Sequence, residues 1–436
     1  MEIGSFVLSL AIIFPVIHFL GFFCEKYKWP RLIGEIASGI LLGPYLLGRY
    51  LPQFFQMCFG EYSNLLEKTE VLLSFTHWVG LFLLMFLAGS ETRKLLSKDS
   101  HRHTAWLLGV GTPLPFFLVL GLGFLKIIPV EKIATGPSQS TSALLILSIS
   151  VAVTSIPVIS RIFDDLKILH TRFAALILGS AVLEDIILWG VLAIATGLSQ
   201  FNNEAGQVIM NEMSIHLVST SLFMILGLVY APRFLKWFHH LSLNIFVQYS
   251  PLAYVVCILF FYIGLASILN INLVFSAFLA GFGIVGGVQG SERHFFRSTL
   301  DILGTFGRSL LIPFYFFFVG YKLVWGNQFS LMMFLIFLLG STLLSLICVG
   351  LAAWLAGFRK LDILNLAITN NARGGPGIVL ATVAYEAGII NGAFYTTLVL
   401  TAVVTSQMAG SWLRFVISRG LPLLSIYGED LPADRS

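Results

Sequence analysis

The sequence predicts an all-α membrane protein of thirteen transmembrane helices, built as an inverted repeat with two broken helices that cross. Three observations predict it. Of 436 residues, 57% are apolar or aromatic and only 11% are charged, where a soluble domain carries about 25% charge. A globule of that composition lacks the polar groups to cover its own surface, which excludes an ordinary soluble protein and a disordered one. The apolar residues fall into runs close to the roughly 20 residues a helix needs to cross the hydrocarbon core. Two of those runs are interrupted by residues that a lipid-facing helix does not need.

In order, the runs lie near residues 4–23, 31–53, 70–90, 104–127, 142–163, 172–198, 214–236, 250–268, 271–288, 300–322, 329–356, 361–387 and 392–416. The first opens Met-Glu-Ile-Gly with no basic region and is long, so it reads as a retained span rather than a cleaved signal. Between the eighth and ninth stand only Asn270, Ile271 and Asn272. The basic residues test the count. With the N-terminus outside, 19 Lys and Arg fall in cytoplasmic segments, including Lys28, Lys98, Arg102 and Arg435. Outside stand 5 (Arg49, Lys68, Lys126, Lys132 and Lys322), while Arg308 and Arg373 lie within spans. That asymmetry is what the positive-inside rule requires, and removing one span scrambles it. The transmembrane domain therefore covers residues 1–420, and 421–436 form a short cytoplasmic tail.

The scattered basic residues do not form a nucleic-acid patch. Cys24, Cys58, Cys257 and Cys348 have no metal or redox spacing and read as packing residues. No glycine-rich phosphate loop or nucleotide-binding cassette is legible, so transport would run on a gradient and needs no cofactor. The location expected is the plasma (inner) membrane, with the C-terminus cytoplasmic.

The fifth run carries Thr154-Ser155-Ile156-Pro157 at mid-depth. Pro157 has no N–H and clashes with the preceding turn, which frees carbonyls beside two hydroxyls. A proline kink satisfied by neighbouring helices is the plainer reading of this run alone. The twelfth carries Asn370, Asn371, Arg373, Gly374, Gly375 and Pro376 within a few residues. Non-helical backbone at that depth must be buried in protein or line a hydrated cavity; otherwise the segment is a loop between two shorter hairpins. The two runs enter from opposite sides. Interrupted helices at matching places in two halves point to a transporter site.

Glu184-Asp185 lies about fourteen residues into the sixth run, roughly 20 Å deep at 1.5 Å per residue. An acid at that depth costs about 2.5–3.5 kcal/mol even on the lenient insertion scale. Successive helix residues point about 100° apart, so one acid faces the crossing and the other a neighbouring helix. A purely structural ion pair is the alternative. A buried carboxylate prefers its neutral form, and either a proton or a small alkali cation neutralises it. Competition for one carboxylate is the minimal device for cation/proton exchange. Oxygen ligands from a carboxylate of the pair Glu184 and Asp185, the Thr154 and Ser155 hydroxyls and freed carbonyls suit an alkali ion and not a transition metal. Arg373 is expected to pair with Glu184 or to sit at the C-terminal end of a half-helix; a reach to a headgroup is the bland alternative. Glu35 and Glu91, near cytoplasmic span ends, are assigned to a funnel or interface, or are interfacial acids without a function.

Pro30 through Pro44 resembles the second span of the monovalent cation:proton antiporter-2 family, which includes Kef-like exchangers and plant cation/proton exchangers. Phe86-Leu87-Ala88-Gly89-Ser90-Glu91, Thr154 through Ile162, Glu184-Asp185, Ile312 through Phe316 and Ala372-Arg373-Gly374 are similar to further landmarks of that family, in order along the chain. The resemblance implies a sodium/proton antiporter fold and a homodimer. It also implies a six-helix core (about 104–198 and 329–416) moving as an elevator against a dimerisation panel (about 4–90 and 214–322), with Asp185 binding ion and proton. Two departures stand out: Ser345 falls where many relatives carry Lys, and the first acid is Glu184 rather than Asp or Asn. They leave open electroneutral or electrogenic exchange. They also leave open a transport-inactive sensor or scaffold of the same fold, and an organic-anion symporter using Arg373.

Overall fold

The computed structural model describes residues 2–27, 29–59, 66–95, 106–169, 171–201, 218–239, 249–287 and 292–425. Lys28, Lys98, Arg102, Arg435, the starts of the fourth and seventh runs and the tail beyond Ser425 lie outside the described residues. Among the described residues the chain is helical with no strand, save an isolated bridge between Ala134 and Ile390.

The principal helices begin with α1 (Glu2–Lys26), α2 (Arg31–Leu42), α3 (Leu66–Leu95) and α4 (Pro113–Phe124). There follow α5 (Ser140–Ala152), α6 (Ile156–Asp165), α7 (Arg172–Phe201) and α8 (Ala231–His239). Next come α9 (Pro251–Ile268), α10 (Leu273–Gly287), α11 (Glu292–Phe306) and α12 (Ile312–Tyr321). The last are α13 (Leu331–Leu355), α14 (Lys360–Asn370), α15 (Gly374–Glu386) and α16 (Gly392–Ser418).

Among the described residues, seven stretches are each long and apolar enough to cross a membrane: Val7–Lys26, Leu73–Arg93, Arg172–Ser199, Val218–Phe238, Pro251–Ile268, Ser298–Tyr321 and Leu331–Leu355. Each coincides with one of the thirteen predicted runs. The others are shorter, as in Gly109–Phe124 and Leu273–Val285, or interrupted, as in α5/α6 and α14/α15. The 27-residue α16 is long enough, but Thr396, Thr397, Thr401, Thr405 and Ser406 lower its hydropathy.

Three π-helical turns, Leu107–Gly111, Leu226–Tyr230 and Gly307–Leu311, share one cause. Each ends two residues before a proline: Pro113, Pro232 and Pro313. Proline offers no N–H to the carbonyl four residues back and its ring crowds that turn, so the preceding turn widens. The junction between α9 and α10 is made by its asparagines. Asn270 takes the left-handed conformation (φ 54°), which Asn tolerates. Asn272 Oδ1 caps α10 by accepting from the Val274 (3.0 Å) and Phe275 (3.1 Å) amides.

The chain divides into two compact units. The first comprises Met1–Gly89, Ala231–Gly264 and Ser276–Phe329. Within it α2 packs on α1 and α12 around Ile13, Ile17, Leu42, Phe314 and Phe317. Helix backbones meet there through glycine: a Cβ at Gly39 would collide with the Phe317 carbonyl, and one at Gly320 with that of Ile36. Close backbone approach over small residues is how helices associate where lipid removes the hydrophobic drive.

The second unit comprises Ser90–Tyr230, Leu265–Phe275 and Ser330–Ser436. Its helix α13 is inside-out by soluble standards. Met332, Ile336, Leu339, Leu343, Ile347 and Trp354 are exposed, whereas Ser341, Ser345, Cys348, Ala352 and Ala353 are buried. The spacing is helical, so one face is large and apolar toward hydrocarbon and the other small toward protein.

Candidate functional site

Both helix breaks belong to the second unit. Between α5 and α6, Val153 and Ser155 are extended (φ −98°, ψ 140° and φ −101°, ψ 110°), and Pro157 stands in the first turn of α6, where a missing N–H costs nothing. Between α14 and α15 the chain passes through Asn371, Ala372 and Arg373. Every buried backbone group freed by such breaks needs a partner, and the two breaks supply each other. The Ser155 amide donates to the Ala372 carbonyl at 2.7 Å, and the Thr154 hydroxyl donates to the Asn370 carbonyl at 2.5 Å.

The amides at the start of α15 turn to α16. Gly374 N–H donates to Ser406 Oγ (3.0 Å) and Arg373 N–H to Thr405 Oγ1 (3.5 Å). Those hydroxyls donate in turn to carbonyls one helical turn back, Ala402 and Thr401. Gly374 is required at its place: its φ is +41°, and a Cβ would lie 2.5 Å from Ser155 Oγ. Gly375 is not, since a Cβ there meets nothing within 4 Å. Pro376 is buried in the same first turn.

The acids stand on α7. Glu184 is 2% exposed and its Oε1 accepts from the Thr112 hydroxyl at 2.9 Å; Thr154 is also close to its carboxylate. Asp185 is 1% exposed, and neither of its carboxylate oxygens has a hydrogen-bond partner. Glu184 and Glu91 are the charged groups in electrostatic contact with it. Glu184 Oε2, Ser155 Oγ, Thr369 Oγ1 and both side-chain polar atoms of Asn370 are likewise buried without partners. So many buried polar atoms left unpaired is unusual, and oxygens dominate the set, which is the chemistry a hard cation or a proton seeks.

Of the two places expected for Arg373, the structure shows the one beside the C-terminal end of a half-helix. Arg373 forms no ion pair with Glu184. Its Nη1 donates to Ser341 Oγ (2.9 Å), its Nη2 to Asn371 Oδ1 (3.4 Å), and its guanidinium lies 5.6 Å from the centre of the Phe337 ring. The cause is placement: Arg373 begins α15, and its side chain runs to the buried small-residue face of α13. It also lies beside Asn371, the C-cap of α14, whose Nδ2 donates to Thr342 Oγ1 (3.4 Å). A guanidinium buried on neutral oxygens and an aromatic face keeps its charge with no carboxylate to cancel it.

Ser345 is buried one turn from Ser341 on the same face. Glu35 lies in the first unit, paired with Arg31 (Nε to Oε1, 3.1 Å), whose Nη2 meets His18 Nδ1 at 2.8 Å. The structure thus keeps Glu35 in one unit and Glu91 with Asp185 in the other. Sequence reasoning missed Thr112, Ser341, Thr405 and Ser406. The one signal they carry is a hydroxyl inside an apolar run, shared by many residues that only bond their own helix, such as Ser148 and Ser180.

A buried acid pair beside two interrupted helices, in a chain with long apolar helices, belongs to an integral membrane protein. The chain belongs to the family of sodium/hydrogen exchanger transmembrane proteins, whose model matches residues 8–419; it is a family of transporters and not of enzymes. Cation/H(+) antiporter 17 of Arabidopsis thaliana is 24% identical over 423 residues, covering 92% of this chain and 47% of the relative. The chain thus spans about half the length of the plant relatives it matches. It spans 96% of the Na(+)/H(+) antiporter NhaS4 of Synechocystis sp., at 23% identity over 93% of its own length. Among solved structures, the sodium proton antiporter MjNhaP1 from Methanocaldococcus jannaschii shares the fold, with TM-score 0.59 and 16% identity over 95% of this chain and 98% of that one.

Proposed function

We propose that the chain is a secondary active monovalent cation/proton antiporter in which Asp185 binds Na⁺ or K⁺ and H⁺ in turn. The observation that carries this reading is Asp185 itself, buried with both oxygens unpartnered on the helix beside the joined breaks. One negative charge there accepts one small cation at a time, so loading a metal ion requires release of the proton. Ser155 and Thr154 lie at the break, and Asn370 and Asn371 at the other, as further oxygen donors. Thirteen spans in an inverted repeat, the N-terminus outside, the plasma membrane and a homodimer complete the proposal, as the family resemblance implies. An elevator is supported by the division of the chain, since both breaks and both acids belong to one unit. That unit would carry the site, while the panel expected over about 4–90 and 214–322 corresponds to the other unit except at Val218–Tyr230 and Leu265–Phe275.

The test is purified protein in proteoliposomes with a pH-sensitive dye, pulsed with Na⁺, K⁺ and Li⁺. Wild type is expected to respond to at least one cation and Asp185→Asn to none. An equal response from the two removes Asp185 from the mechanism.

A further inference from the structure

Two adjacent buried acids raise a question that the antiport reading leaves unanswered: what keeps one of them from competing with the other for cargo. The two differ in their surroundings. Asp185 has no hydrogen-bond donor on either oxygen, whereas Glu184 Oε1 is held by the Thr112 hydroxyl at 2.9 Å and Thr154 also lies against its carboxylate. Both ends of that bond are buried, Thr112 and Glu184 at 2% exposure each.

Thr112 reaches Glu184 from a specific local structure. It follows the π turn Leu107–Gly111 and precedes Pro113. That π turn packs against both α7 and α13. A π turn holds one residue more than an α turn, so side chains beyond it are rotated by about 100° relative to an uninterrupted helix. The Pro113 ring that opens the turn is therefore also what aims the hydroxyl. Thr112 is not tied to its own helix in the way of Ser148, Thr196, Thr382, Thr396 and Thr397, whose hydroxyls donate to carbonyls four residues back. Its proton goes 72 residues along the chain to a carboxylate.

We propose that Thr112 is the positioning residue of the acid pair: it pins Glu184 as the fixed acid and leaves Asp185 as the exchanging one. The proposal rests on the antiport reading for its consequence, but the pinning is a statement about Glu184 alone. Thr112 touches neither cation nor proton cargo. A fixed, hydrogen-bonded Glu184 cannot swing toward an incoming cation, so the site presents one free carboxylate, not two. Loss of the hydroxyl leaves Thr154 as the remaining partner of the carboxylate and loosens Glu184 enough to share the ion with Asp185, which holds cargo too tightly and slows release.

Two measurements on detergent-purified full chain test this. The first is infrared difference spectroscopy of the carboxyl C=O stretch, with Glu184→Gln marking the Glu184 band. Thr112→Val is expected to move that band to higher wavenumber as its carbonyl loses a donor, and Thr112→Ser to restore it. The second is cation-driven exchange in proteoliposomes. Thr112→Val is expected to lower maximal exchange and half-saturating cation concentration together, by about fivefold, the fold-change a hydrogen bond to a neutral carboxyl carries; Thr112→Ser stays within about twofold. A Thr112→Val protein with the wild-type band and wild-type kinetics overturns the proposal, as does a Thr112→Ser protein that fails like the valine variant. A wild-type protein silent to every cation refutes the antiport reading instead, and the band then still decides whether Thr112 pins Glu184.

Discussion

The amide of Ser155 and the carbonyl of Ala372 share a 2.7 Å hydrogen bond across 217 residues of chain, so the two interrupted helices are joined by main chain at their breaks. A main-chain bond cannot be removed by changing a side chain, which makes the junction a fixed feature around which side chains vary. The residue that permits the approach is Gly374, next but one after Ala372, whose missing Cβ leaves room for Ser155.

Gly374→Ala is therefore expected to be costly. It combines a left-handed backbone with a methyl 2.5 Å from Ser155 Oγ and Val158 Cγ2, and overpacking plus strain amounts to about 2–4 kcal/mol. Gly375→Ala, one residue on, meets open space and gains helix propensity, so its effect is within about 0.5 kcal/mol or stabilising. Thermal unfolding of the two variants in the same detergent separates them; equal melting temperatures would show that the crossing tolerates a side chain.

Thr154 and Ser155 are neighbours with opposite expectations. The Thr154 hydroxyl donates to the Asn370 carbonyl, so Thr154→Val leaves a buried acceptor unsatisfied and costs about 1–3 kcal/mol of stability. The Ser155 hydroxyl has no partner, so Ser155→Ala leaves stability unchanged or improves it, while weakening cation-dependent exchange. Melting curves paired with proteoliposome exchange read both. A Ser155→Ala protein that is destabilised would mean its hydroxyl holds the fold and not an ion.

The breaks were legible because Pro157 and the Asn370–Pro376 cluster are chemically out of place in hydrocarbon. The acids were legible because Glu184-Asp185 has no ordinary reason to be there. Partner choice was not. Glu184 takes its hydrogen bond from Thr112, and Arg373 takes Ser341, Asn371 and Phe337. Opposite charges in one predicted locus made Arg373–Glu184 the natural pair, but the direction in which a side chain leaves its helix depends on the neighbouring turns. A π turn before Pro113 and the non-helical residues before Arg373 reset those directions; the sequence marks where the turns change but not where the side chains then point.

Arg373→Lys discriminates charge from shape. Lysine keeps the charge but replaces a planar fork with a single ammonium, so it cannot bond Ser341 and Asn371 while lying over Phe337. The expected loss is one hydrogen bond to a charged group, about 1.5–3 kcal/mol in unfolding free energy, with Arg373→Lys and Phe337→Leu showing less than additive effects because they share the contact. A lysine variant as stable as wild type would mean that buried charge alone is needed there.

The half-helix α14 is also held at its N-terminal end by the segment after the last helix. Asp362 is fully buried and accepts the Ser425 amide (2.7 Å) on Oδ1 and the Ser425 hydroxyl (2.9 Å) on Oδ2. Asn365 Nδ2 donates to the Leu423 carbonyl (3.1 Å), and Trp412 Nε1 donates to Asn365 Oδ1 (2.9 Å). Leu423 and Leu424 are fully buried in the same core as Ile156 and Leu366. The start of the predicted tail is thus part of the second unit, fastened to the helix whose other end is the break. Asp362→Ala removes both acceptors at Ser425 and leaves its amide to water, so protection of the Leu424 and Ser425 amides against hydrogen exchange should fall by about tenfold or more, the equivalent of about 1.5 kcal/mol of local opening. Asp362→Asn keeps one acceptor and should lose less. Mass-resolved exchange on the peptide spanning these residues measures both, and unchanged protection in Asp362→Ala would show that the leucines alone hold the segment.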